Sequence, residues 1–237
     1  MKELKKIRRF YQNVSYEQEG RSWVIMLDEK TLTSPARTSL RLPSEALAQL
    51  LVTEWDAQIE TINPEAMPHT KLANVAHDHM GATKSLTVGE LVRFASNDVL
   101  CFRVAQPLDL QERQAQQWDV WLDWAEQRFG ARLGTSTGLQ SPQIPLIALE
   151  TMRSTALEME PFLLTAMTHA ASILSSTVLG FALAEGKLDA KTAFDLSRIE
   201  ENWQIERWGV DEEAAERAEY LLASLQASTK FMLAAQS

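Results

Sequence analysis

Between Pro161 and Ala184 the chain reads PFLLTAMTHAASILSSTVLGFALA, 24 positions without a charged residue. A segment of this kind has two homes, the hydrocarbon layer of a membrane or the middle of a helical bundle. Its polar residues choose between them. Thr165, Thr168, His169, Ser172, Ser175, Ser176 and Thr177 bring hydroxyls and an imidazole at a density that spanning helices, which are predominantly apolar, do not carry. The segment is therefore expected as a buried central helix of a soluble protein, with other helices covering it.

The start of the chain follows a different period. RSWVIMLD (21–28) is compact and rich in strand formers, FYQNVSYEQEG before it supplies a partner strand closed by Gly20, and DEK turns into a short returning strand, TLTSP. Near Leu42 the pattern becomes helical. Ser44 is placed as an N-cap, and Leu47, Leu51, Trp55 and Ile59 recur every fourth residue with Leu50 beside them. Trp55 on that stripe reads as a core anchor. The prolines of NPEAMPHT, Pro64 and Pro68, mark a boundary between a β-rich domain over 1–68 and a helical domain over 69–237.

Beyond the boundary almost everything is expected to be helical. Thr87 and Glu90 form a capping box with Leu86 and Leu91 as its hydrophobic staple. Residues 107–130 place Trp118, Trp121 and Leu122 on one side, widened by Trp124 and Ala125, with Gly130 as C-terminal cap. An irregular stretch over 131–145 precedes helices at 145–159, 161–185 ending at Gly186, 189–208 started by Asp189, and 211–235 started by Asp211. The fold class expected is α+β: a small N-terminal β-rich α/β domain with one helix, then an all-α bundle.

Charge and chemistry exclude more than they suggest. A net charge of −9 and a pI near 5.0 leave no basic footprint for nucleic acid or for an anionic membrane. The basic start, MKELKKIRR, reads as a solubilising tail. Cys101 is the lone cysteine; it excludes an internal disulfide and, within DVLCFR, reads as an inert packed thiol. In HTKLANVAHDHM, His77 and His79 are two apart and diverge by about 200° on a helix, and His69 lies before its start, so a metal site from His69, His77, Asp78 and His79 is disfavoured. His169 reads as a satisfied buried histidine. There is no phosphate loop and no GxSxG elbow, and GTSTG (134–138) lacks a lysine. No catalysis, cofactor or metal is called for. The alternative kept open is a hydrolase or metal-dependent enzyme built on the His69–His79 segment.

IEENWQIERWGVDEE (199–213) combines two tryptophans with six carboxylates. On one continuous helix, Leu196, Ile199 and Trp203 fall within about 60° of each other, and Phe194, Glu201, Ile205 and Trp208 form a second stripe opposite. Glu200 and Glu206 lie near the edges of the first stripe. A carboxylate inside an apolar stripe is costly to bury alone. Either the second stripe faces outward as a protein-binding surface with tryptophan as anchor, or both stripes are internal and Glu201 pairs with a buried arginine such as Arg93, Arg103 or Arg153.

The blocks RRFY, LDEKTLTSPART, LPSEALAQLLVTEWDAQIETINPEAMPHTKLAN, NDVLCFR, WDVWLDWAEQRFGARLGTSTGLQ and LSRIEENWQIERWGVDEEA, in this order over about residues 8–220, resemble the chaperone family that assembles the F1 sector of ATP synthase by handling its alpha subunit. The resemblance implies a small N-terminal α/β domain joined to a helical domain, no catalysis and no cofactor. It implies that the alpha subunit is the partner, engaged by acidic residues of the E..WQIE.WG block; by position these are Glu201 and Glu206, with Glu200 beside them. With Phe194, Ile205 and Trp208 they make up the expected partner-binding set. The chain begins within a few residues of the first family block, so a bacterial cytoplasmic protein is expected, or a mitochondrial matrix protein if it is a trimmed eukaryotic one. A monomer without membrane insertion is expected. LTSPARTSL departs from the family's usual k-T-P-g pattern, and the turn there is expected to differ.

Overall fold

The computed structural model describes residues 7–138 and 140–237. Most of the basic N-terminal run expected as a tail lies outside the described residues. The architecture is the expected one: small sheets near the N-terminus and helices thereafter.

Two compact units divide the chain. One holds the described residues through Thr83 together with Glu160–Ala166 and Lys230–Ser237; the other holds Lys84–Met159 and Met167–Thr229.

In the first unit β1 (Ile7–Arg8) pairs antiparallel with β5 (Thr61–Ile62). A three-stranded meander carries β2 (Val14–Glu19), β3 (Ser22–Leu27) and β4 (Lys30–Thr31) in that order. Val14 faces Leu27 and Glu19 faces Ser22, and the turn between them uses Gly20. Helix α1 (Glu45–Asp56) packs on β2 and β3 and starts at Ser44, whose hydroxyl accepts from Leu47 N at 3.2 Å. Leu47, Leu51 and Trp55 are buried as the period requires. Ile59 is not: α1 stops at Asp56, the stripe loses its helix, and Ile59 is 83% exposed. Helix α2 (Pro68–Asp78) gets no side-chain cap from Met67; instead the buried Glu54 accepts from His69 N at 2.7 Å and Thr70 N at 2.8 Å.

Helix α3 (Met80–Ala95) runs straight through Thr87, so no helix begins there. Met80–Leu86 already form its first turns, and Leu86 is exposed rather than stapled to Leu91. In the second unit a 3-10 turn over Val99–Cys101 leads into β6 (Phe102–Arg103), which pairs in parallel with β7 (Ser136–Thr137) from the stretch expected to be irregular. Helix α4 (Leu108–Phe129) buries Trp118, Leu122 and Ala125, with Trp121 and Trp124 half-buried, and ends at Gly130, whose φ of 85° is the left-handed cap expected of it. Helix α5 (Leu146–Glu158) follows.

The uncharged run is two helices, α6 (Pro161–Leu174) and α7 (Thr177–Ala184). Ser175 sits at φ 50°, and Ser176 caps α7 by accepting from Leu179 N at 3.0 Å. Every residue of α7 is buried. A methyl group on Gly180 would come 2.9 Å from the Ala171 methyl, so the close return of α7 on α6 requires glycine there. No helix among the described residues is long and apolar enough to cross a membrane. Asp98, fully buried, serves this break from a distance: its carboxylate accepts from Leu100 N at 3.1 Å and from Val178 N at 3.0 Å.

The expected helix 189–208 is also two, α8 (Ala190–Ser197) and α9 (Ile199–Trp208), broken at Arg198 (φ −124°). Helix α10 (Glu212–Ala235) ends the chain, its first turn capped by Asp211, which accepts from Ala214 N at 2.8 Å.

Candidate partner-binding surface

Helix α9 is held on α4 by charges that alternate along both helices. Asp109, in the first turn of α4, accepts from the Trp203 indole at 3.0 Å and pairs with Arg207, whose guanidinium lies 4.1 Å above the Trp203 ring. One turn further on, Arg113 grips Glu206 through two hydrogen bonds of 2.9 and 2.7 Å. The Trp203 hydrogen bond, aided by Arg207, holds the Asp109 carboxyl below the usual carboxylate range, and Arg113 does the same for Glu206. Both pairs are open to solvent, where such bonds contribute little each. Their effect is to fix the rotation of α9.

That rotation decides which residues look outward. Ile199 is buried and Trp203 half-buried, whereas Glu200, Glu201, Ile205 and Trp208 are exposed. Trp208 is 73% exposed and touches the protein edge-on through Trp203, with ring centroids 5.6 Å apart. Val210, just past the helix, is exposed as well. Glu201 is not locked to an internal arginine: Arg93 pairs with Glu90, Arg103 with Asp119 and Arg153 with Glu150. Glu201, Ile205 and Trp208 of the second stripe therefore lie on the outer surface of α9.

Phe194, expected on the same outward stripe, does not: it is 6% exposed. The helical wheel assumed one helix, but Phe194 belongs to α8, and the non-helical Arg198 resets the phase before α9 begins. Glu206 stands apart for another reason, since its carboxylate is already engaged by Arg113. Asp109 and Arg113, which orient the helix, lie 94 and 93 residues from their partners and carried no sequence signal beyond a charged helix start.

Beside α9 lies a cavity of about 430 Å³. Val104 and Trp118 contribute apolar wall, Arg103 and Gln114 polar wall, and Glu200, Glu201 and Gln204 stand along the α9 side. Arg103 is desolvated, which lowers its pKa from the ordinary guanidinium value, and Asp119 at 2.8 Å balances its charge.

His77 and Asp78 are occupied by structural work: His77 Nε2 lies 3.1 Å from Thr38 Oγ1, and Asp78 accepts from Ala36 N at 3.0 Å, tying down the loop of TSPART. Among the described residues no three His, Cys, Asp or Glu side chains are grouped to hold a metal ion. His169 meets Ser228 Oγ at 2.8 Å, and burial lowers its pKa. Cys101 is sealed, and burial raises its thiol pKa far above the ordinary range.

Known proteins match this chain along most of its length. The family model described as ATP12 chaperone protein matches residues 8–126. The crystal structure of Atp12 from Paracoccus denitrificans is 36% identical with a TM-score of 0.92, covering 97% of this chain and 98% of that one. A crystal structure of a candidate chaperone from Agrobacterium tumefaciens is 37% identical with a TM-score of 0.91, over 96% of this chain and 85% of that one. The mitochondrial protein atp12 of Schizosaccharomyces pombe is 26% identical over 88% of this chain and 76% of its own length. Relatives named as chaperones place the chain with chaperones and not with enzymes. The chain belongs to the ATP12 chaperone protein family.

Proposed function

We propose that the protein is an assembly chaperone of the F1 sector of ATP synthase, that it holds the unassembled alpha subunit until beta replaces it, and that it does so through the outward face of α9. The observation that carries this reading is Trp208, a large aromatic 73% exposed on the same helix as Glu201, which pairs with no cation among the described residues. An isolated alpha subunit exposes apolar surface that later meets beta, and such surface aggregates. Covering it reversibly takes an aromatic anchor for affinity and rim carboxylates for orientation and on-rate. The higher identity to the two bacterial proteins supports a bacterial cytoplasmic setting.

In this reading Glu201, Ile205 and Trp208 touch the client, Glu200 flanks them, and Glu206 keeps the helix in place. Purified alpha subunit and light scattering test it. Glu201→Lys is expected to weaken suppression of alpha aggregation by roughly tenfold or more, the effect of a repelling charge in an interface, with an unchanged thermal melt. Trp208→Ala should cost about 2 kcal/mol of binding if the indole is an anchor. Full suppression by the double variant would remove α9 from the interface.

A further inference from the structure

We infer that Asp109 and Arg113 of α4 are positioning residues for client capture: without touching the client, they aim the Trp208 indole by locking Trp203, Glu206 and Arg207. This rests on the client-binding reading of α9. The burial of α9 is the first observation. Of its ten residues Ile199, at the start, is buried, and none after it is. A helix this short is marginal without tertiary packing, so apolar burial does not set the direction of its far end. Trp208 is the last helical residue, followed by Gly209 at φ 89°, and helix ends fray. Among the described residues the one aromatic ring it meets is Trp203.

The second observation is how the last turns are held. Asp109 accepts from the Trp203 indole at 3.0 Å and pairs with Arg207, which covers the Trp203 ring; Arg113, one turn along α4, holds Glu206 at 2.9 and 2.7 Å. The signs are ordered so that each charge faces its opposite. A slip of α9 that brought Glu206 to Asp109, or Arg207 to Arg113, would set like charges together, so one rotation is selected. The third is exposure. These four side chains are between 34% and 55% exposed, where ion pairs add little stability. Contacts that add little stability yet fix a direction act on what the helix presents, so orientation and stability are separable here. Glu206 accordingly contributes to affinity through Arg113 and not through the client.

The test uses the full chain and purified F1 alpha subunit. Arg113→Glu and Glu206→Arg, each setting like charge against like, are expected to weaken alpha binding by roughly fivefold to tenfold, with unchanged thermal melts. Combining the two rebuilds the pair in reverse and is expected to recover most of the affinity. Asp109→Ala should weaken binding similarly and Asp109→Asn less, because the amide oxygen still accepts from the Trp203 indole. Indole N–H resonances of the chain alone report orientation: those of Trp203 and Trp208 should move in each single variant and return in the swap. A swap that binds as weakly as the single variants would mean that Glu206 or Arg113 meets the client directly. Single variants that bind like the unaltered chain, or whose melts fall with their affinity, would leave α4 no positioning role. Each of these results overturns the inference and leaves the chaperone reading standing. If the resonances respond as expected but the unaltered chain does not bind alpha, the client-binding reading fails, and the positioning role with it.

Discussion

Trp55→Arg is expected to lower stability by about 3–5 kcal/mol, the range for losing a large buried aromatic, and to leave most of the protein insoluble. The indole is 9% exposed, its ring lies 5.7 Å from Tyr11, and the Tyr11 hydroxyl donates to the Trp55 carbonyl at 2.6 Å. Arg9 works at the same corner, reaching the Asp56 carbonyl at 2.9 Å and the Gln58 carbonyl. A second guanidinium buried there would meet no free carboxylate in those contacts and would add charge burial to the lost packing. Urea denaturation of the refolded variant measures the effect; a midpoint within error of the parent would show that Trp55 does not anchor this unit.

Asp98→Ala is expected to be comparably damaging. It strips the acceptor from Leu100 N and Val178 N in a fully buried place, at about 1–3 kcal/mol for each donor left unsatisfied. The same group predicts a pH dependence. Burial raises the Asp98 pKa from 3.8 to about 6, against the opposing hydrogen bonds. The folded protein therefore holds this proton more tightly than the unfolded chain. The associated stability is complete below about pH 3.8 and is lost as the pH climbs through about 6. At 1.36 kcal/mol per pKa unit this amounts to about 3 kcal/mol. Denaturation curves from pH 4 to 7 should show the decline in the parent and its absence in Asp98→Asn, which has nothing to titrate. Parallel curves for the two proteins would mean that Asp98 stays ionised throughout.

The sequence revealed elements whose signal is local. The 14–31 meander, the Ser44 cap, the buried Trp118 and the Gly130 terminus all depend on neighbours a few residues away. Breaks without glycine or proline were hidden. Arg198 interrupts one helix, and Ser175 another, because contacts from elsewhere reward the break; Asp98 waits 80 residues before Val178 to receive its N–H. A helical wheel drawn across Arg198 thus gave Trp208 its outward position correctly and Phe194 wrongly. The exposed acids were visible as composition, but which of them is already paired depended on Arg113, 93 residues distant. Thr87 and Glu90 show the converse case, where a correct capping pattern lies idle inside a longer helix.

The uneven placement of the seven tryptophans has a practical result. Trp55 and Trp118 emit from dry surroundings at 9% and 2% exposure, while Trp208 at 73% meets water. Trp23, Trp121, Trp124 and Trp203 are half-buried, so red-edge emission and acrylamide quenching weight the tip of α9 more than any other single site. In the client-binding reading proposed above, the protein carries its own optical gauge of occupancy, readable without a dye.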